Sequence, residues 1–510
     1  MTTPRTKLIA GLDRAQSVLL VAVVLGTTLA FGGSAWWGRV AVAGLVALLA
    51  GCWLARGLAA GSTSVLKSPM AGLGALAIGL AVLQLAPLPT TVADRLSPHL
   101  AAVEAASRTD ELTSPSRRPT TVDRSMTLRW IVGAAGCLAV FVVASHHVDR
   151  LGRSLLVWSS VAACFFVNVL VGLIQLGGRA SGLYGIFEPG KSPPWAPSMA
   201  SVADAPGTGV LRLLPEAADA SAMGWSVIRP VAVELIGTTL GGPGTLVALG
   251  SMALPLSIGL TLHLLAARGS RLPLAERLRV SGHGPRALML ASLTIVGAGL
   301  VGAVGGRWLA VPIGLAMVAS AAPCLRGAGL GRPAMGLLGG SLLALAVGVG
   351  IGERAGYPAG SGPLVEGNLR EQVDARWAVA VRVCRDHPVL GVGLGGFGAV
   401  VSDYKVRDET PRTADSSLLQ WAAESGGVGL GLMALGVAWT LIRLPGACRR
   451  VGSADRALAG GLLGSVLGLA AVSAVHWTVE LGAVALAASA LGGTCNRWLA
   501  GGTDLFLDHA

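Results

Sequence analysis

Charge is what this sequence has least of. Of its 510 residues only 13% are Asp, Glu, Lys or Arg, where a soluble domain carries about a quarter. That scarcity excludes an ordinary soluble globular chain. Cysteine is sparse and scattered. Cys52, Cys137, Cys164, Cys324, Cys448 and Cys495 lie in or beside apolar segments, and Cys384 stands alone in a polar interval. Isolated cysteines of this kind make neither a disulfide framework nor a zinc site. Among the eight histidines, only His146 and His147 are close together, at a helix end beside Asp149 and Arg150, so no metal and no other cofactor is expected. An internal repeat is also missing, which leaves the inverted-repeat plan of many secondary transporters without support. The N-terminal apolar run ends in Phe31-Gly32-Gly33-Ser34-Ala35 without a cleavage motif, so it is expected to stay as a first span.

What is present is hydrophobic length. The chain is 53% hydrophobic with a mean hydropathy of +0.66. Apolar runs recur that are long enough, at roughly 20 residues each, to cross a bilayer as helices. Spans are expected at 17–35, 40–60, 70–90, 128–146, 154–176, 244–267, 287–305, 308–325, 334–352, 427–443, 458–476 and 481–499. The fold class is therefore all-α and polytopic, with about 12 transmembrane helices. Three parts follow: a bundle over 1–352 with outer loops near 91–127 and 178–243, a polar interval over 353–426, and terminal helices over 427–510.

The net charge of +12 is a topology signal. If Arg5, Lys7 and Arg14 are cytoplasmic, the inner segments hold about 19 Lys/Arg against about 6 acids. The remaining charges nearly cancel outside. The basicity is concentrated in Arg268–Arg286 and Arg443–Arg456, and basic loops between spans are what orientation alone requires, so no nucleic-acid partner is expected. Both termini fall on the cytoplasmic side. Glycines at four-residue spacing (Gly460, Gly464 and Gly468; Gly336 and Gly340; Gly348 and Gly352) read as helix-packing faces. Pro255 and Pro312 are expected to bend their spans.

The polar interval carries the residues that can do chemistry. Leu369–Arg385 reads as an amphipathic helix with Val373, Trp377, Ala380 and Cys384 on one stripe, resting on the membrane or on the bundle. Its arginines, Arg370, Arg376, Arg382 and Arg385, either reach lipid headgroups or clamp a phosphate. The run Gly393-Leu394-Gly395-Gly396-Phe397-Gly398 matches a dinucleotide fingerprint in spelling only, since no strand precedes it. A tight turn between two loop helices explains its glycines. Arg307 sits at the end of a span, where an uncompensated charge is costly.

In order, the interval holds Arg376-Trp377, His387-Pro388, Gly391, Gly393, Tyr404, Asp415-Ser416-Ser417-Leu418-Leu419-Gln420 and Glu424-Ser425-Gly426. This order resembles the signature of the O-antigen ligase and polymerase family of bacterial envelope enzymes. Weaker echoes are Leu83-Gln84 through Pro89, Gly237-Thr238-Thr239, Gly306-Arg307-Trp308, and His476 with Val479-Glu480. Two departures stand out. The family's loop histidine has no counterpart in Arg412-Thr413-Ala414-Asp415, and its paired asparagines are replaced by Gly241 and Gly242.

The resemblance implies a GT-C-like fold with a large helical extracytoplasmic loop, in the bacterial inner membrane. It implies metal-independent transfer of a glycan from an undecaprenyl-pyrophosphate carrier to a sugar hydroxyl on an acceptor glycan or glycolipid. Such chemistry needs cations for the departing pyrophosphate and a base for the hydroxyl. The candidates are Arg307 and Arg376, with Arg382 behind them, and Asp415 as base. His387 and His476 are alternative bases, while Glu424 and Tyr404 are candidates for substrate contacts or support. Two other readings stay open: a non-catalytic relative that binds lipid-linked glycan, and a transporter. The transporter is disfavoured by the few polar residues inside spans, such as Asn168 and Gln175.

Overall fold

The computed structural model describes residues 4–29, 36–61, 68–97, 116–178, 243–266, 284–325, 330–354, 369–404, 414, 416–451, 455–475 and 482–500. Its elements in chain order are α1 (Pro4–Leu29), α2 (Trp36–Ala60), α3 (Pro69–Leu85), β1 (Leu88–Pro89), α4 (Thr90–Leu96), β2 (Arg117–Arg118), α5 (Arg124–His147), α6 (Leu151–Gly178) and α7 (Pro243–Ala266). They continue with α8 (Gly284–Leu325), α9 (Gly331–Arg354), α10 (Leu369–Asp386), α11 (Phe397–Tyr404), α12 (Ser417–Arg450), α13 (Arg456–Val475) and α14 (Gly482–Leu499). The protein is a helical, polytopic membrane protein. Nine helices among the described residues are long and apolar enough to cross a bilayer.

Nine differs from twelve for identifiable reasons. Pro69–Leu85 is apolar but short, and α14, which ends in Asn496 and Arg497, is not among the nine. The 42-residue α8 holds two of the expected spans, divided at Gly306 (φ 60, ψ −176). Its halves run in opposite directions. Before the break, Ile295, Gly299 and Ala303 face Gly340, Ala344 and Gly352 of α9 in rising order. After it, Gly314 faces Leu342 and Leu345, and Leu325 faces Gly331, in falling order. Gly306 therefore reverses the chain with a positive φ that a residue with a Cβ rarely adopts. Pro312 does not break the helix.

Other boundaries shift as well. The first helix begins at Pro4 rather than near 17, because its polar first turns are held by partners that a hydropathy run cannot register. Arg56 pairs with Asp13 at 2.5 Å, and Arg153 reaches Asp13 at 3.3 Å and Asp149 at 2.9 Å. The interval after α3, expected as an open loop, contains α4 and a two-residue antiparallel pair, Leu88 with Arg118 and Pro89 with Arg117. Among the described residues the fold is thus helical but for this clip.

The glycine faces pack as their spacing indicates. A methyl group on Gly348 would collide with the Gly299 carbonyl, and one on Gly352 with that of Ala303. Gly460, Gly464 and Gly468 of α13 face the carbonyls of Ser320, Ala316 and Ser251. Without apolar driving force between helices in lipid, such backbone approach is the main source of association. Gly336 is the exception, with nothing within 4 Å.

One end of the bundle gathers the start of α1, the end of α2 and the start of α3. There Arg5 donates to Ala59 O at 2.6 Å, and Ser68, the N-cap of α3, donates to Asn496. The opposite end holds the end of α3, the start of α5, α10, α11 and the start of α12. A second, smaller apolar cluster sits at that end, built from Val379, Ala380, Val383, Val392, Phe397, Val400, Val401, Ala414 and Ala423.

Candidate functional site

The site at this end is a loop locked into a broken helix. Helix α12 is interrupted at Gly426 (φ 60, ψ −158), which frees backbone groups on both sides of the break. The segment Pro388–Gly393 fills that gap. Val392 N donates to Ala423 O at 3.0 Å and Gly393 N to Glu424 O at 3.1 Å. Beyond the break, Gly427 N donates to Pro388 O at 2.8 Å and Val428 N to Val389 O at 3.2 Å. The motif Pro388-x-x-Gly391-x-Gly393 and the motif Glu424-x-Gly426 are therefore two halves of one joint.

The glycines are required by space as well as by backbone angle. Gly391, Gly393 and Gly395 all have positive φ, at 68°, 100° and 82°. A Cβ on Gly391 would lie 2.5 Å from Ala423 O, one on Gly395 would lie 2.9 Å from Met126 O, and one on Gly393 would collide with Thr121.

Two buried side chains fasten the joint. Glu424 is 2% exposed, and its carboxylate accepts from Gly395 N at 2.8 Å, Phe397 N at 3.3 Å and Gln420 Nε2 at 3.1 Å. Gln420 Oε1 in turn accepts from Ala414 N. Of the two roles open to Glu424, substrate contact or support, these bonds are support: it holds the glycine loop. Gln84, at the end of α3, is fully buried. Its Nε2 donates to Leu390 O at 2.7 Å and Glu424 O at 3.0 Å, and its Oε1 accepts from Leu394 N at 3.0 Å. Its carbonyl accepts from Thr120 N and Thr121 N. One glutamine thus joins α3, the segment that follows β2, the glycine loop and α12. Sequence reasoning noted Gln84 only as part of a weak echo. The available signal was a fully apolar helix ending in one amide just before Pro87.

Replacing Gln84 with Leu keeps the volume but leaves the Leu394 N–H and the Leu390 carbonyl buried without the partner Gln84 gives them, and removes one of the two donors to Glu424 O. The expected loss is on the order of 3 kcal/mol, from unsatisfied groups costing about 1–3 each. It is read as a lower apparent Tm in detergent together with faster proteolysis of 388–396. Unchanged values for both would remove Gln84 from this role.

Helix α10 lies on the joint through Val379, Ala380 and Val383, which are buried. The contacting face is turned slightly from the expected stripe, since Trp377 and Cys384 are only half-buried. Burial pushes the Cys384 thiol up, as fits a packed thiol and not a reactive one. His387 closes the helix: it is 2% exposed, and its Nδ1 lies 3.1 Å from Ser97 Oγ at the end of α4. Arg376 stands at helical spacing before Ala380 and Val383, half-buried and on the joint side, whereas Arg382 and Arg385 are exposed on the opposite side. Tyr404, at the end of α11, is half-buried against the same apolar cluster.

Arg307 is elsewhere. It follows the Gly306 reversal, exposed, with its guanidinium 6.0 Å from the Trp308 ring. Asp415 and His476 lie outside the described residues. Their sequence neighbours are joined, however: Ser416 caps α12 through Leu419 N and donates from its Oγ to Ala474 O at 2.7 Å, linking the start of α12 to the end of α13. Gly241, Gly242 and Arg370 also fall outside what can be described at side-chain level. No group of three or more metal-ligating side chains occurs among the described residues.

In comparison with known proteins, no family model and no curated protein matches this chain.

Proposed function

We propose that this protein is an O-antigen ligase-like glycan transferase of the bacterial inner membrane, with twelve crossings, a GT-C-like arrangement and both termini in the cytoplasm. The observation that carries the reading is the joint itself. The Pro-x-x-Gly-x-Gly loop and the Glu-x-Gly break, separate in sequence, interlock beside an arginine-bearing helix. Orientation is supported by charge. Arg5, Lys7, Arg14, Arg56, Arg150, Arg153, Arg450, Arg456 and Arg497 gather at the end opposite the joint, against Asp13, Asp149 and Asp455.

In the proposed reaction an acceptor hydroxyl oxygen attacks the anomeric carbon of the lipid-linked glycan. The bond from that carbon to the phosphate oxygen breaks, and undecaprenyl pyrophosphate leaves with the electron pair. Arg376, with Arg307 from the Gly306 turn, would stabilise the leaving pyrophosphate. Asp415 would take the hydroxyl proton. Glu424 and His387 keep the loop in place.

A second reading, a relative that binds lipid-linked glycan without turnover, is favoured by one observation. Both titratable side chains inside the joint, Glu424 and His387, are engaged in holding it. The two readings separate in a transfer assay with purified protein, an undecaprenyl-pyrophosphate-linked glycan and a glycan acceptor. Transfer that falls by about 100-fold or more in Asp415→Ala and Arg376→Ala, with unchanged melting, supports the enzyme. Donor binding without transfer supports the second reading, and neither binding nor transfer overturns both.

A further inference from the structure

Among the described residues nothing covers the outward side of α10. Ala378, Val381, Arg382 and Arg385 form one exposed face, opposite Val379, Ala380 and Val383. Val381 is 53% exposed, and among the described residues neither Arg382 nor Arg385 has a carboxylate partner. The face does not end in open solvent at its lower edge. On α12, Ile442, Leu435 and Val428 are exposed at helical spacing, 77%, 60% and 43%, as a lipid-facing stripe requires. Val428 donates its N–H to the carbonyl of Val389, itself 39% exposed, at 3.2 Å. The apolar surface that meets lipid tails along α12 therefore extends to Val389, three residues beyond the end of α10.

Distance fixes what α10 meets there. From Val381 to Asp386 the helix rises about 8 Å, at 1.5 Å per residue. The headgroup layer on each side of the hydrocarbon core is roughly 5–8 Å thick. With Val389 at the edge of the core, the stretch from Asp386 to Val381 stays within about one headgroup layer of it at any tilt, so the long side chains of Arg382 and Arg385 are within reach of lipid phosphates. Guanidinium groups bind phosphate oxygens through paired hydrogen bonds, and long basic side chains beside apolar ones are favoured at this boundary.

We propose that the outward face of α10 is a membrane-surface contact in which Val381, Arg382 and Arg385 lie in the headgroup layer and the two arginines bind the headgroups of anionic phospholipids. This separates the helix's arginines by partner, with Arg376 facing the joint and Arg382 and Arg385 facing lipid. The inference rests on the spanning arrangement and does not depend on the transferase reading.

The test places p-benzoylphenylalanine at position 381 in the full-length protein, in nanodiscs of phosphatidylcholine with phosphatidylglycerol. The same probe at position 435, on the α12 stripe, serves as control. Irradiation and mass spectrometry are expected to show lipid adducts at both positions. At 381 phosphatidylglycerol should be enriched about threefold or more over its bulk share, the scale expected for two basic side chains near the surface. Arg382→Gln with Arg385→Gln should return that ratio to the bulk value while adducts at 435 persist. Adducts at 435 but none at 381 would overturn the proposal, as would enrichment that survives the double substitution. Enrichment abolished by added pyrophosphate at constant ionic strength would assign the arginines to a soluble phosphate ligand and also overturn it.

Discussion

Gly391→Ala is expected to yield a protein that no longer assembles the end of the bundle that carries the joint. Two penalties act together. The added Cβ would meet Ala423 O at 2.5 Å and the Glu424 backbone, and the residue must also hold φ at 68°. The conformational cost is about 1–2 kcal/mol and the overpacking about 1–3 kcal/mol, with backbone rather than a flexible side chain as the obstacle. Neither side can yield cheaply, because Gly391 N is bonded to His387 O and its neighbour Val392 to Ala423 O. The expected result is loss of monodisperse protein in detergent, or an apparent Tm lower by ~5 °C or more. Gly398→Ala, in the first turn of α11, is the comparison and should be milder. Equal, near-native stability of both variants would mean that the loop does not enter the α12 break as described.

The second large effect is expected at Glu424. Alanine there leaves Gly395 N, Phe397 N and the Gln420 amide without their acceptor inside a buried joint. At about 1–3 kcal/mol for each unsatisfied group, the loss is on the order of 5 kcal/mol. Glu424→Gln keeps one carbonyl acceptor and introduces an N–H₂ that faces donors, so its stability should fall between wild type and alanine. Thermal unfolding of the three proteins in the same detergent gives the order directly. A Glu424→Ala protein as stable as wild type would show that the carboxylate is dispensable for the fold and return it to the candidates for chemistry.

Helical, membrane-spanning architecture was legible from the sequence because a bilayer imposes one dominant rule, that about 20 apolar residues make a crossing. The glycine stripes of α9 and α13 were legible for a similar reason: their spacing follows the helix period, and close approach needs small residues wherever the partner lies. Helix ends were less so. The polar start of α1 belongs to the helix only because Asp13 finds Arg56 and Arg153 on other elements. The same limit applies to the joint. Both of its halves stood out in the sequence as motifs, and Glu424 was singled out, but nothing local indicated that its partners would be the N–H groups of Gly395 and Phe397. Gln84, 340 residues before Glu424, left almost no sequence signal because its role is to satisfy backbone groups of distant segments.

The polar interval 353–426 shows the same division. Sequence alone determined that α10 forms, that it is amphipathic and that arginines surround its apolar stripe, since these follow from composition and a 3.6-residue period. Which arginine faces which partner was decided only by tertiary structure. Helical periodicity defines angles around an axis, but not what surrounds that axis. The break at Gly426 and the loop bound into it set α10 against the apolar cluster, turning Arg376 toward the joint and Arg382 and Arg385 away from it.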